Sequence, residues 1–143
     1  MHLYIETRTE TKPFLYEGPW VALSAPENAF FAAHGYVTET PYEWHVERNY
    51  ELFATLAGVR NKYAITPLFA GRGLPGDIAD PTKLLANDSD IHSQTWCTLT
   101  GAEVNAASIG QASPNFAAFI TALRYTVGAI EVNPIRLVFG FDN

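Results

Sequence analysis

Cysteine is almost missing from this sequence. Cys97 stands alone among 143 residues, so the chain cannot close a disulfide within itself. Positive charge is scarce too: 9 Lys and Arg face 15 Asp and Glu, for a formal charge of −6. That balance argues against binding polymeric nucleic acid through a general positive field, because grip on polyphosphate comes largely from Lys and Arg. It leaves room for a small anion held by a few placed arginines. No apolar run approaches the ~20 residues that cross a bilayer. The stretch from Met1 to Glu10 has neither the charged start nor the apolar centre of a secretory leader. The expectation is a cytoplasmic protein with no membrane contact. Repeats and low-complexity segments are absent as well.

What the chain does have is apolar and aromatic surface, 48% and 13% of its residues. That is enough for one sizeable core in a single domain spanning 1–143, and too short a chain to expect two. Leu3, Ile5 and Thr7 alternate with His2, Tyr4, Glu6 and Arg8, the period of a half-buried strand. Gly18-Pro19 separates Phe14-Leu15-Tyr16 from Trp20-Val21-Ala22-Leu23, which predicts two short strands about a turn. Glu27 to Tyr36 predicts one or two helical turns, and Glu39 to Glu47 an aromatic loop or edge strand.

Leu52, Phe53, Leu56 and Val59 share one helix face, with Asn49 placed to cap it. Lys62 to Pro81 reads as a long surface loop, and Pro81 to Leu85 as a helical turn. A strand is predicted from Ser93 to Leu99, then a short helix from Thr100 to Asn105. Ser113 and Pro114 open the best-defined helix, whose stripe is Phe116, Phe119, Ile120, Leu123 and Val127 before a stop at Gly128. Ile135 to Phe141 alternates as the last strand. Two main helices on a mixed, mainly antiparallel sheet make an α+β fold.

Several patterns invite chemistry. Gly71-Arg72-Gly73-Leu74-Pro75-Gly76 matches the dinucleotide fingerprint in letters, but Pro75 and the polar residues after it deny it the strand and helix that fingerprint needs. Two readings stay open for it: a turn whose Arg72 pairs with an acidic neighbour such as Asp77, or an arginine raised by glycines to meet a phosphate or carboxylate. Asp88, Asp90 and His92 lie on alternate residues, yet the sixth and twelfth places of a calcium loop are Ser93 and Leu99. Zinc would need a further His or Cys, so no metal is expected there. His92 and Ser93, as neighbours in a strand, should point to opposite faces and form no dyad. Cys97 is expected as a small buried hydrophobe, with no sequence reason to pair it with His2, His34, His45 or His92. No cofactor and no catalytic group are assigned.

The remaining set suits binding. Arginines Arg48, Arg60 and Arg72, amides Asn49 and Asn61, rings Tyr50 and Trp96, and the pair His92 and Ser93 supply forks for phosphate, faces for bases and polar groups for ribose. Each also has a plain structural role open to it: core for Tyr50 and Trp96, ion pairs for Arg48 and Arg60, caps for the two Asn.

Four stretches in order, Arg48-Asn49-Tyr50-x-Leu52-Phe53-x-x-Leu56-Ala57-x-Val59-Arg60-Asn61, Arg72-Gly73-Leu74-Pro75, His92-Ser93-x-x-Trp96 and Val138-Phe139-x-Phe141-Asp142-Asn143, resemble a family of small, mostly uncharacterised bacteriophage proteins. The resemblance implies a viral origin and brings no catalytic assignment. By analogy with viral sponges, it suggests a small homo-oligomer that sequesters a nucleotide-derived host immune signal, a cyclic ADP-ribose-like or cyclic di- or oligonucleotide compound. Two other readings stand beside it: a hydrolase of such a compound using His92 with Asp77, Asp88 or Asp90, and an inhibitor that binds a host protein.

Overall fold

The computed structural model describes residues 1–13, 15–23, 42–44, 46, 48–99, 106–126 and 134–142, with backbone only at 106, 107 and 124–126. The helices expected at Glu27 to Tyr36 and Thr100 to Asn105, the rings of Phe14 and His45, the imidazole of His34 and the stop at Gly128 lie outside the described residues.

Strand β1 (His2–Arg8) is the centre of the sheet. Along one edge runs β5 (Ile135–Phe141), antiparallel, from the His2/Gly140 pair to the Thr7/Ile135 pair. Along the other edge lie two short strands end to end: β2 (Trp20–Ala22) against Glu6, Thr7 and Arg8, and β3 (Glu43–Trp44) against Leu3 and Tyr4. Strand β4 (His92–Thr98) closes the far side of β5. Every strand pairing among the described residues is antiparallel. The fold is α+β. The strand expected before Gly18 is reduced to a single bridge between Lys12 and Leu15, and β2 pairs with β1 instead. Gly18 fits because a Cβ there would lie 1.8 Å from the Thr9 hydroxyl.

Three of the described helices cover one face of the sheet. Helix α1 (Tyr50–Ala57) begins at Asn49, whose Oδ1 accepts the Leu52 amide at 2.9 Å. It ends where Gly58, at φ 74°, donates to the Ala54 carbonyl and Val59 donates to Phe53. A 3-10 turn (Asp80–Lys83) leads into the single helical turn α2 (Leu84–Asn87). Helix α3 (Ala106–Ala112) escaped the sequence reading because its small residues carry no apolar stripe. Helix α4 (Pro114–Thr126) starts as expected, with Ser113 Oγ accepting the Phe116 amide. Its Phe116, Phe119, Ile120 and Leu123 meet Leu52 and Leu56 of α1 over Leu3, Ile5, Leu137, Phe139 and Cys97 of the sheet. Each such side chain contributes roughly 1.5–3 kcal/mol on burial.

The opposite face departs from the half-buried strand read from the alternation. Residues 69–91 fold back over it and bury Tyr4, Val138, Leu85 and Ile91 together, including the part up to Pro81 expected as surface loop, while the helical turn expected from Pro81 to Leu85 is present. Every residue of β5 is buried in consequence. Gly140 lets Ile91 approach so closely that a Cβ would stand 2.5 Å from its methyl group.

The same face encloses an ion pair. Glu6 and Arg136 are register partners on β1 and β5, exposed by 0% and 3%. Arg136 Nε donates to Glu6 Oε1 at 2.6 Å, while Glu6 Oε2 accepts the Ala79 amide at 2.7 Å and the Thr82 hydroxyl at 2.8 Å. Arg136 Nη1 reaches Asp77 Oδ1 at 2.7 Å, and its guanidinium lies 4.1 Å from the centre of the Trp20 ring. Asp77 is thus the partner of Arg136, which closes the one of the two open readings of Arg72 that paired it with Asp77. Removing one member of such a pair strands a charge away from water. Arg136→Met should cost about 3–5 kcal/mol in denaturant unfolding, and Glu6→Gln combined with Arg136→Met should recover at least half of that loss.

Candidate functional site

The sequence that surrounds α1 decides what gathers at its start. Asn49 is fully occupied: beyond capping α1, its Nδ2 donates to the Ala112 carbonyl at 3.0 Å and ties α1 to the end of α3. Asn61 is occupied likewise, donating to the Ile65 carbonyl at 2.6 Å and accepting the Ile65 amide at 3.0 Å, which closes the loop after α1. In each Arg-Asn pair the amide holds the backbone. The arginine is left over.

Those two arginines meet in one place. A cleft of about 240 Å³ opens at the end of the sheet, walled by Arg48, Tyr50, Arg60, His2 and Asp142, with Phe53 and Val59 contributing buried apolar surface. Arg60 follows the helix end in a left-handed conformation, φ 51°. This costs a residue with a Cβ about 1 kcal/mol or more. It turns the side chain back along the helix, so that the guanidinium covers the Tyr50 ring at 4.9 Å from its centre. Among the described residues neither Arg48 nor Arg60 is paired with a carboxylate. The ion pair with Glu51 that stood open for them does not form, and Glu47 lies outside the described residues.

His2 and Asp142 were not singled out from the sequence, and no local pattern joins residues 140 positions apart. The β1/β5 register brings them together. His2 Nδ1 contacts Glu43 Oε1 at 2.6 Å and Nε2 lies 3.4 Å from Asp142. The hydrogen bond to Glu43 raises the imidazole above its ordinary value and outweighs the opposing effect of burial. Burial would raise the Asp142 carboxyl, but the His2 imidazolium and the amino terminus beside it bring it below the usual carboxylate range. The carboxylate facing the cleft is therefore already engaged.

The other members of the predicted set stand elsewhere. Arg72, between Gly71 and Gly73 at φ 82° and 70°, lies over the Phe69 and Trp96 rings, 5.1 Å from each centre, and donates to the Trp96 carbonyl at 3.1 Å. It is outside the walls of the Arg48–Arg60 cleft. His92 and Ser93 correct the expectation of opposite faces. A bulge between His92 and Thr95, with Ser93 at φ 54°, breaks the alternation and brings His92 Nδ1 to 2.9 Å from the Ser93 hydroxyl. Asp77 is held by Arg136, Asp88 Oδ1 accepts the Asp90 amide in a local turn, and among the described residues His92 pairs with none of the three aspartates considered for it. Among the described residues no three His, Cys, Asp or Glu side chains gather as a metal site.

No protein-family description, curated protein or solved structure matches this chain.

The linkage of His2 has a definite sign. Its folded value lies above the ordinary ~6.5, so the stability it contributes is complete below that pH and is lost as pH rises through the raised folded value. The stability advantage of the natural chain over His2→Gln should be larger at about pH 6 than at about pH 9, measured by denaturant unfolding at both.

Proposed function

We propose that this chain binds a small phosphorylated, nucleotide-derived ligand in the Arg48–Arg60 cleft and holds it intact. The observation that carries this reading is two guanidinium groups without carboxylate partners among the described residues, facing one cleft beside a tyrosine ring. Two such cations repel each other until an anion arrives, and a planar guanidinium meets phosphate oxygens through two hydrogen bonds at once. The stack on Tyr50 holds the plane of Arg60 in advance, which reduces the ordering that binding must impose.

The size of the cleft narrows the ligand. At about 240 Å³ it falls below the roughly 300–1,000 Å³ of sites that enclose a whole drug-sized molecule. It suits a phosphate and the group next to it. A cyclic dinucleotide or cyclic ADP-ribose-like compound would extend past the rim, and a homo-oligomer would cover the remainder with a second copy. The resemblance to bacteriophage proteins supports a role in the cytoplasm of an infected bacterium, where removal of a nucleotide immune signal would disarm the host defence it activates. No helix among the described residues is long and apolar enough to cross a membrane.

Incubation with a cyclic dinucleotide or cyclic ADP-ribose, followed by heat denaturation and mass spectrometry, should return the compound unchanged. A product in its place would make the protein an enzyme. Arg48→Ala and Arg60→Ala should each weaken capture at least about tenfold, the scale of one charge-assisted contact, with melting temperature changed little because both side chains are exposed. Normal capture by both variants would sink the assignment to this cleft, and loss of capture in Arg72→Ala alone would move the site to the Trp96 ring.

A further inference from the structure

The wall that His2 forms is shared. On its other side lies a second cleft of about 450 Å³, lined by His2, Tyr4, Glu43, Asn87, Asp88 and Ser89, with Leu84 and Ile91 as apolar surface. Tyr4 is the register partner of Glu43 and is only 2% exposed, packed with Leu85, Ile91 and Val138. Its hydroxyl has no hydrogen-bond partner among the described residues. A buried hydroxyl without a partner is costly, and native proteins satisfy almost all of them. Burial and the nearby Glu43 carboxylate push the phenol up to about 12, so it carries its proton and can donate throughout the physiological range.

Charge separates the two clefts into unlike halves. Arg48 and Arg60 line the first. The second has the carboxylates of Glu43 and Asp88 and no Lys or Arg, so a phosphate would be repelled there. A neutral group with hydroxyls would be welcomed. It would accept from Tyr4 and donate to Asp88, and lay its carbon faces on Leu84 and Ile91.

We infer that the cleft around Tyr4 and Asp88 receives the ribosyl part of the same ligand whose phosphate lies between Arg48 and Arg60, with His2 at the junction. This rests on the reading of the first cleft as a phosphate site and adds to it a half-site with the opposite chemistry. One continuous ligand, anionic at one end and hydroxylated at the other, matches two clefts that meet at one imidazole.

Calorimetric titration of the full chain with inorganic phosphate, ribose 5-phosphate and adenosine 5′-monophosphate tests this. The two esters should bind at least about tenfold tighter than phosphate. Tyr4→Phe keeps the buried ring and removes only the unpartnered hydroxyl, so it should melt no lower than the natural chain. It should bind the esters about threefold to tenfold more weakly, the worth of one neutral hydrogen bond, and bind phosphate unchanged. Asp88→Asn should follow the same pattern. Esters no tighter than phosphate, or Tyr4→Phe with undiminished ester affinity, would overturn the ribosyl half-site and leave the phosphate site standing. Failure of phosphate and both esters to bind the natural chain would overturn the parent reading, and this one with it.

Discussion

An ion pair closed off from water, Glu6 with Arg136, is the constraint on which the rest of the structure depends. Each charge carries a desolvation penalty of several kcal/mol, and each is answered in full. Three donors converge on the Glu6 carboxylate, and Arg136 reaches both the side chain and the carbonyl of Asp77. The pair also sets the register of β1 against β5. Side chains alternate between faces, so a slip of one residue would part the two charges and turn one of them toward the apolar layer beneath the helices. Because Ala79 and Thr82 donate to the same carboxylate, the pair holds the segment after residue 77 against the sheet. That segment continues into the turn bearing Asn87 and Asp88.

The candidate site inherits this arrangement. The correct β1/β5 register puts His2 beside Asp142, and β3 on the other edge of β1 supplies Glu43. One imidazole thereby ties three strands at the end of the sheet where the two clefts meet. The arginines arrive by a different route. They flank α1, and each has an asparagine next to it that meets the hydrogen-bond needs of the local backbone. This division of roles lets Arg48 and Arg60 stay clear of carboxylates among the described residues without leaving the helix ends unsatisfied. The left-handed backbone at Arg60 fits the same account, since strain persists where the surrounding structure fixes it and where a side chain must be aimed.

Much of the frame was legible in the residues because it follows from local rules. Asn49 and Ser113 as caps, the stripe of Phe116, Phe119, Ile120 and Leu123, and the alternation of β1 and β5 are periodicities that need no knowledge of distant chain. Where the reading failed, a distant partner had intervened. Residues 69–81 lacked periodicity and looked like surface, yet Glu6 and Arg136 draw this segment onto the sheet. Asp77 stood five residues from Arg72 and was taken by an arginine 59 residues away. His92 and Ser93 share a face because a bulge no propensity announces cancels the alternation.

By itself, then, the sequence determined the α+β class, the start of α1 and the start of α4, since each follows from residues close together in the chain. Only the tertiary structure decided which arginines share a cleft, that His2 and Asp142 belong to it, and that the phenol of Tyr4 is buried without a partner among the described residues. Those outcomes depend on strand register and on which buried charges find each other, and such pairings are chosen by the desolvation of the whole fold.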